Sequence, residues 1–183
     1  MYFIVISQSN VKVKLTKLKR SSENNMTPAQ IEIISATDSK KIAEAKKLIQ
    51  EYGNSLKISL DHQNFKQELK KLPGEYVAPK GRLLLAYVDG KVAGCVALRE
   101  FANNSCEMKR LYVKDNYRGQ GIGKQLVTRL IEEARSAGYE FMKLDTIPGM
   151  TRAQQIYESY GFYDINPFVY SPVDGTRYME LKL

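Results

Sequence analysis

Cysteine and histidine are scarce in this chain of 183 residues, with two of the first and one of the second. Two cysteines, Cys95 and Cys106, cannot form a disulfide framework, and both fall in runs that read as strands, so they are expected to be buried, reduced and apolar in a cytosolic protein. His62 stands alone among polar residues, and no Cys/His cluster has metal-ligand spacing, so no metal site is expected. Long hydrophobic runs are missing as well. The apolar opening, Met1 to Ser7, is too short for a membrane span, and its positive charges follow instead of preceding it, which argues against a secretion signal.

Acidic residues are outnumbered, and the net charge is +8. Half of that surplus sits in residues 1–25, where Lys12, Lys14, Lys17, Lys19 and Arg20 face Glu23 alone. The remainder is mildly basic, which suits an anionic small molecule and gives little support to nucleic-acid binding. Residues 1–25 are therefore expected to be a poorly ordered basic extension with a polar linker, Ser21 to Asn25, ahead of one folded domain over 26–183, with Met26 as an alternative start. A domain of this length can bury roughly 70% of its unfolded surface in one core.

Hydrophobic periodicity predicts a mixed domain. Gln30 to Ser35 alternates as a strand. A helix capped by Thr37 or Asp38 carries the stripe Ile42, Ala45, Leu48 and Ile49 and ends at Gly53. A second helix covers Phe65 to Leu72. Leu83 to Val88 and Lys91 to Leu98 form a hairpin about Asp89-Gly90, a dipeptide suited to primed turns. Cys106 to Val113 and Phe141 to Thr146 are strands, Thr151 to Tyr160 is a short helix, and two strands flank residues 166–175.

The most informative stretch runs from Val113 to Lys124. An extended segment enters a helix with apolar positions Ile122, Leu126, Val127, Leu130, Ile131 and Ala134 through a turn holding Gly119 and Gly121. Such a junction presents backbone N–H groups and the positive end of a helix dipole to an anion, phosphate above all. The dinucleotide fingerprint fails because Lys124 replaces its third glycine. The nucleotide P-loop fails because Arg118 stands for its first glycine and Gln125 for its hydroxyl.

What fits is Arg118-x-x-Gly121-x-Gly123, which resembles the [Q/R]-x-x-G-x-[G/A] signature of the GNAT superfamily of acyl-CoA-dependent N-acyltransferases. The likeness extends over about residues 30–183, through the hairpin Val88 to Gly94, the strand entry Lys109-Arg110-Leu111-Tyr112-Val113, and Ala153-Gln154-Gln155-Ile156-Tyr157 with Gly161-Phe162, similar to A-x-x-[L/I]-Y-x-x-x-G-F. The resemblance implies an α+β fold: a central mixed, mostly antiparallel sheet of about six to seven strands with flanking helices. It also implies acetyl-CoA as cosubstrate and an amine acceptor as the other partner, without metal, nucleic acid or membrane, and it leaves a homodimer open.

By the same resemblance the CoA pyrophosphate is expected on Arg118, Gly119, Gln120, Gly121, Ile122, Gly123 and Lys124, and the pantetheine arm and thioester along Leu111, Tyr112 and Val113. Tyr157 is expected to protonate the departing sulfur, with Tyr160 second. Glu107, six residues before Val113, is expected to be the base acting through water, with Glu100 in reserve. Acceptor contacts are expected from residues 52–79 and 167–177, with Arg99, Arg152 and Arg177 as candidate anion binders. The competing reading is a catalytically idle acyl-CoA-binding or sensing module on the same fold.

Overall fold

The computed structural model describes residues 29–183, apart from Lys57, Asn103 and the His62 side chain. The basic extension expected over residues 1–25 lies outside the described residues. Seven strands and four α-helices follow in the order β1 (Ile31–Ser35), α1 (Ser39–Ser55), α2 (Phe65–Lys71), β2 (Arg82–Val88), β3 (Lys91–Glu100), β4 (Ser105–Val113), α3 (Ile122–Ser136), β5 (Phe141–Thr146), α4 (Thr151–Ser159), β6 (Tyr163–Asp164) and β7 (Arg177–Lys182). They build one sheet in the order β1-β2-β3-β4-β5-β7-β6, antiparallel except where β4 meets β5. The mixed, mostly antiparallel sheet with flanking helices matches the expectation from sequence.

Local chemistry sets the element ends. Asp38 caps α1, its Oδ1 accepting from the Lys41 N–H at 2.9 Å. The β2–β3 turn places Asp89 and Gly90 at φ 47° and 73°, left-handed values that match the twist of the paired strands. After α3, Gly138 at φ 85° turns the chain, and the Ala137 N–H returns to the Glu133 carbonyl.

The sheet carries a core on each face. On one, Ile122, Leu126, Val127, Leu130 and Ala134 of α3 pack against Leu84, Val96, Leu98, Met142 and Leu144. On the other, Ala45, Leu48 and Ile49 of α1 cover Leu83, Leu85, Cys95 and Ala97. Each wholly buried leucine contributes about 1.5–3 kcal/mol relative to exposure, which explains why the periodic apolar stripes settle both helices onto the sheet. Cys95 and Cys106 are buried and unpaired, and burial raises both thiols well above their ordinary pKa.

Two irregularities position the site. From Cys95↔Tyr112 to Ala97↔Lys109 the chain takes two steps along β3 but three along β4, so β4 holds an extra residue. Arg110 sits in that bulge at φ 59°, a conformation a non-glycine residue adopts only at a cost. The second irregularity lies at the β4–β5 seam. These parallel strands pair only at Ser105↔Phe141, Cys106↔Met142 and Glu107↔Lys143. Beyond that point β5 stays with β7 as far as Thr146↔Arg177, and β4 runs on with β3 to Val113. The strands part, and a cleft opens between their C-terminal halves.

Candidate active site

The cleft comprises two adjoining cavities. One lies in the split between the strands, walled by Met108, Lys109, Arg110 and Leu111 of β4 and closed by Tyr157. The second extends beneath the segment after α1, against Leu56, Ile58 and Leu60. Tyr52, Gln63, Asp145, Thr146 and Met150 border both. The acceptor regions expected from sequence are thus represented here by Tyr52 to Gln63 on one side and Ser171 on the other.

The glycine loop stands beside the C-terminal end of β4. Gly119 and Gly121 have φ of 83° and 79°, and a Cβ at either would meet no atom within 4 Å. This open, concave backbone leads directly into α3, whose first regular junction is the Gln125 N–H to the Gly121 carbonyl at 3.1 Å. Among the described residues, the N–H groups of Gly119 to Lys124 have no protein acceptor, so they remain available to an anion at the positive end of α3. Gly123 serves packing: a Cβ there would stand 3.3 Å from Ile156 of α4. Arg118 folds back, its Nε donating to the Val113 carbonyl at 3.1 Å and its Nη2 lying 2.8 Å from Asp115. An exposed ion pair of this kind is weak and leaves the guanidinium able to turn toward a phosphate.

Tyr157, on the inner face of α4, is 6% exposed, with its ring packed on Phe162 at 5.7 Å between centroids. Burial, with smaller contributions from Tyr52 and Asp145, raises its pKa well above the ordinary phenol value, so the hydroxyl keeps its proton. Tyr52 is likewise pushed up to about 12, chiefly by burial. Tyr160 is placed differently: its hydroxyl donates to the Lys124 carbonyl at 3.1 Å and lies 2.6 Å from Thr128 Oγ1. The Thr146 side-chain hydroxyl, by contrast, is buried in the wall common to both cavities without a partner.

Glu107 is wholly buried. Its Oε2 accepts from Arg99 Nε at 2.7 Å and its Oε1 from Lys109 Nζ at 2.9 Å. Burial would raise its pKa, but the charges of Lys109 and Arg99 and their hydrogen bonds outweigh that and hold it below the usual carboxylate range. It stands behind Lys109, which lines the cleft where Glu107 does not. Glu100 is paired at the surface with Lys80. Of the arginines expected to bind an acceptor anion, Arg99 is committed to Glu107 and Glu75, and Arg177 to Glu158 and Asp164.

Several cleft residues were not singled out from sequence. Arg110 donates through Nε to Glu68 Oε1 and through Nη1 to Gln63 Oε1, both at 2.8 Å, tying the β4 bulge to α2 and to the 3-10 turn at Asp61–Gln63. Burial would lower its pKa, and Glu68 more than reverses that. Gln63 Nε2 in turn donates to Asp145 Oδ2 at 3.4 Å. The carboxylates of Glu68 and Asp145 look like ordinary surface charges in sequence. Only the bulge and the strand separation bring them together.

The sequence and the fold are similar to those of known proteins. Residues 46–162 match the Acetyltransferase (GNAT) family. An uncharacterized N-acetyltransferase of Dictyostelium discoideum is 33% identical over 205 residues, covering 78% of this chain and 95% of the relative. Another, from Schizosaccharomyces pombe, is 34% identical over 160 residues, covering 86% and 98%. The crystal structure of a GNAT-family acetyltransferase from Staphylococcus aureus superposes with a TM-score of 0.69 at 25% identity, covering 84% of this chain and 99% of its own. The chain belongs to the GNAT family of acetyltransferases, and it is an acetyl-CoA-dependent N-acetyltransferase.

The residues fit that cosubstrate. The free amides of 119–124 suit a pyrophosphate, and the stretch of β4 without a β5 partner can receive an extended amide-bearing arm, as a third strand would. Among the described residues, no group of three or more His, Cys, Asp or Glu side chains could hold a metal ion. No helix among them is long and apolar enough to cross a membrane.

Proposed function

We propose that the protein transfers the acetyl group of acetyl-CoA directly to a primary amine with both substrates bound together. The observation that carries this reading is the pair of adjoining cavities. One reaches the CoA side along β4, the other opens beneath the α1–α2 segment, and they meet at Asp145, Thr146 and Tyr52 close to Tyr157. Cys95 and Cys106 are buried with raised pKa values and line neither cavity, which weighs against an acyl-enzyme. Their unpaired state accords with the cytoplasmic location expected from sequence.

Arg118, Gly119, Gln120, Gly121, Ile122, Gly123 and Lys124 hold the pyrophosphate, and Leu111, Tyr112 and Val113 line the thioester arm. When bound, acetyl-CoA supplies an activated carbonyl. The amine nitrogen forms a bond to that carbon, the carbon–sulfur bond breaks, and the amine surrenders a proton. Tyr157, held neutral by burial, gives its proton to the departing thiolate and recovers one from solvent. Glu107 takes up the amine proton through water. Both of its oxygens already hold cations, so this role requires one of those hydrogen bonds to open during turnover.

The test is thiol release from acetyl-CoA with a fixed set of amines: isoamylamine, phenethylamine, spermidine, L-lysine, L-aspartate and a peptide with a free N-terminal alanine. Stoichiometric acetylated amine and free CoA support direct transfer. Acetyl-CoA binding without thiol release for any of them would instead favour the idle CoA-binding module.

A further inference from the structure

The carboxylates around the cleft are unequally satisfied. Arg99, Lys109 and Arg110 contact Glu68, Glu75, Glu107 and Asp145, with Gln63 joining the Arg110–Glu68 pair to Asp145 and Glu75 largely exposed at the surface. Three of these acids are closely paired. Glu107 holds both Arg99 and Lys109, Glu75 lies 3.0 Å from Arg99, and Glu68 chelates Arg110. Asp145 is left with the long contacts: Lys109 Nζ at 3.9 Å, already bound to Glu107 at 2.9 Å, and Gln63 Nε2 at 3.4 Å. It is also the one carboxylate bordering the two cavities among the described residues, with its side chain 13% exposed.

The geometry points to Asp145 as the docking group for the acceptor's ammonium, and to a monoamine with an apolar body as the acceptor class; this rests on the amine-acetylating role proposed above. An ammonium beside Asp145 replaces its two long contacts with a short one. In a partly desolvated cleft such a charge-assisted hydrogen bond is strong. The rest of the amine enters the second cavity, where Leu56, Ile58, Leu60, Ile147 and Met150 offer an apolar wall. Among the described residues, a carboxylate on the acceptor would find no uncommitted cation there. Lys109 and Arg110 are engaged with Glu107 and Glu68, and the cavity beneath α1 has no basic residue among its described lining. Asp145 follows from where β5 leaves β4, two residues past the last shared pair at Lys143, so it faces both the donor and the acceptor side.

The experiment compares kcat/KM of the unaltered protein for phenethylamine, isoamylamine and L-aspartate, then repeats it for Asp145→Asn and Asp145→Glu. The two apolar amines should exceed L-aspartate by more than tenfold. Asp145→Asn should lose roughly 10- to 100-fold with them, mainly through KM, with partial recovery in Asp145→Glu. The rise in melting temperature on adding acetyl-CoA should persist in both variants, showing that fold and donor site are intact. Preference for L-aspartate, or an Asp145→Asn protein with unchanged KM, overturns the assignment while leaving acetyl transfer standing. No transfer by the unaltered protein to any amine overturns both.

Discussion

Replacing Glu107 by glutamine removes the negative charge between Arg99 and Lys109 but keeps shape and volume. One amide oxygen can still accept a hydrogen bond, whereas the amide nitrogen is a donor facing a cation, so one of the contacts at 2.7 and 2.9 Å becomes repulsive. Breaking a buried pair on one side costs about 3–5 kcal/mol. The lower end applies because Arg99 is 30% exposed and retains Glu75, while Lys109, 6% exposed, retains only the distant Asp145. At about 2–4 °C per kcal/mol for a domain of this size, Tm should fall by roughly 6–12 °C.

The pH dependence has a definite sign. Glu107's pKa is lower folded than unfolded, so its stabilisation is complete above the unfolded value of about 4.3 and is lost as pH falls through the folded one. The Tm gap between parent and variant should therefore be constant from neutral pH to about 5 and narrow below about 4. Scanning calorimetry across that range is the assay. A gap under about 2 °C at pH 7 would refute the claim that this carboxylate is the keystone of the cluster.

The same variant tests the base role. At a temperature where it stays folded, a lost base slows an amine of pKa about 10 far more than one of pKa about 8. Equal slowing of both would reduce Glu107 to a residue that positions Lys109.

Tyr157→Phe should lower kcat roughly a hundredfold, measured by thiol release, and leave Tm nearly unchanged, because the buried ring and its packing on Phe162 are kept. Unaltered kcat would remove Tyr157 from the chemistry. Gly121→Val strains a backbone at φ 79° and puts a side chain into the anion cradle, so titration calorimetry should show acetyl-CoA affinity falling by more than tenfold. Glu68→Gln leaves the Arg110 charge partly uncompensated beside the β4 bulge, and should cost about 3 kcal/mol by denaturant unfolding, less if the guanidinium turns fully onto Gln63.

By itself the sequence determined the elements and the glycine turn ahead of α3. Repeats of three and four drew the inner faces of α1 and α3, and the helices begin one residue after the Asp38 cap and at Ile122 and end within two residues of Gly53 and Gly138. Asp89-Gly90 specified its hairpin, and Gly119 and Gly121 their turn, because left-handed backbone is a local demand written in local residues. The acceptor side has no such local code. Gln63 and Asp145 are 82 positions apart, and Glu68 and Arg110 are 42 apart. Nothing in the spacing of either pair marks it. They meet because an extra residue turns Arg110 within β4 and because β5 leaves β4 after Lys143. Whether a buried glutamate is a free base or a clamped one is equally a tertiary matter, since charge is set by whatever the fold packs around it. Tertiary structure alone decided that Glu107 is held by two cations and that Asp145 is left with a long contact to Lys109.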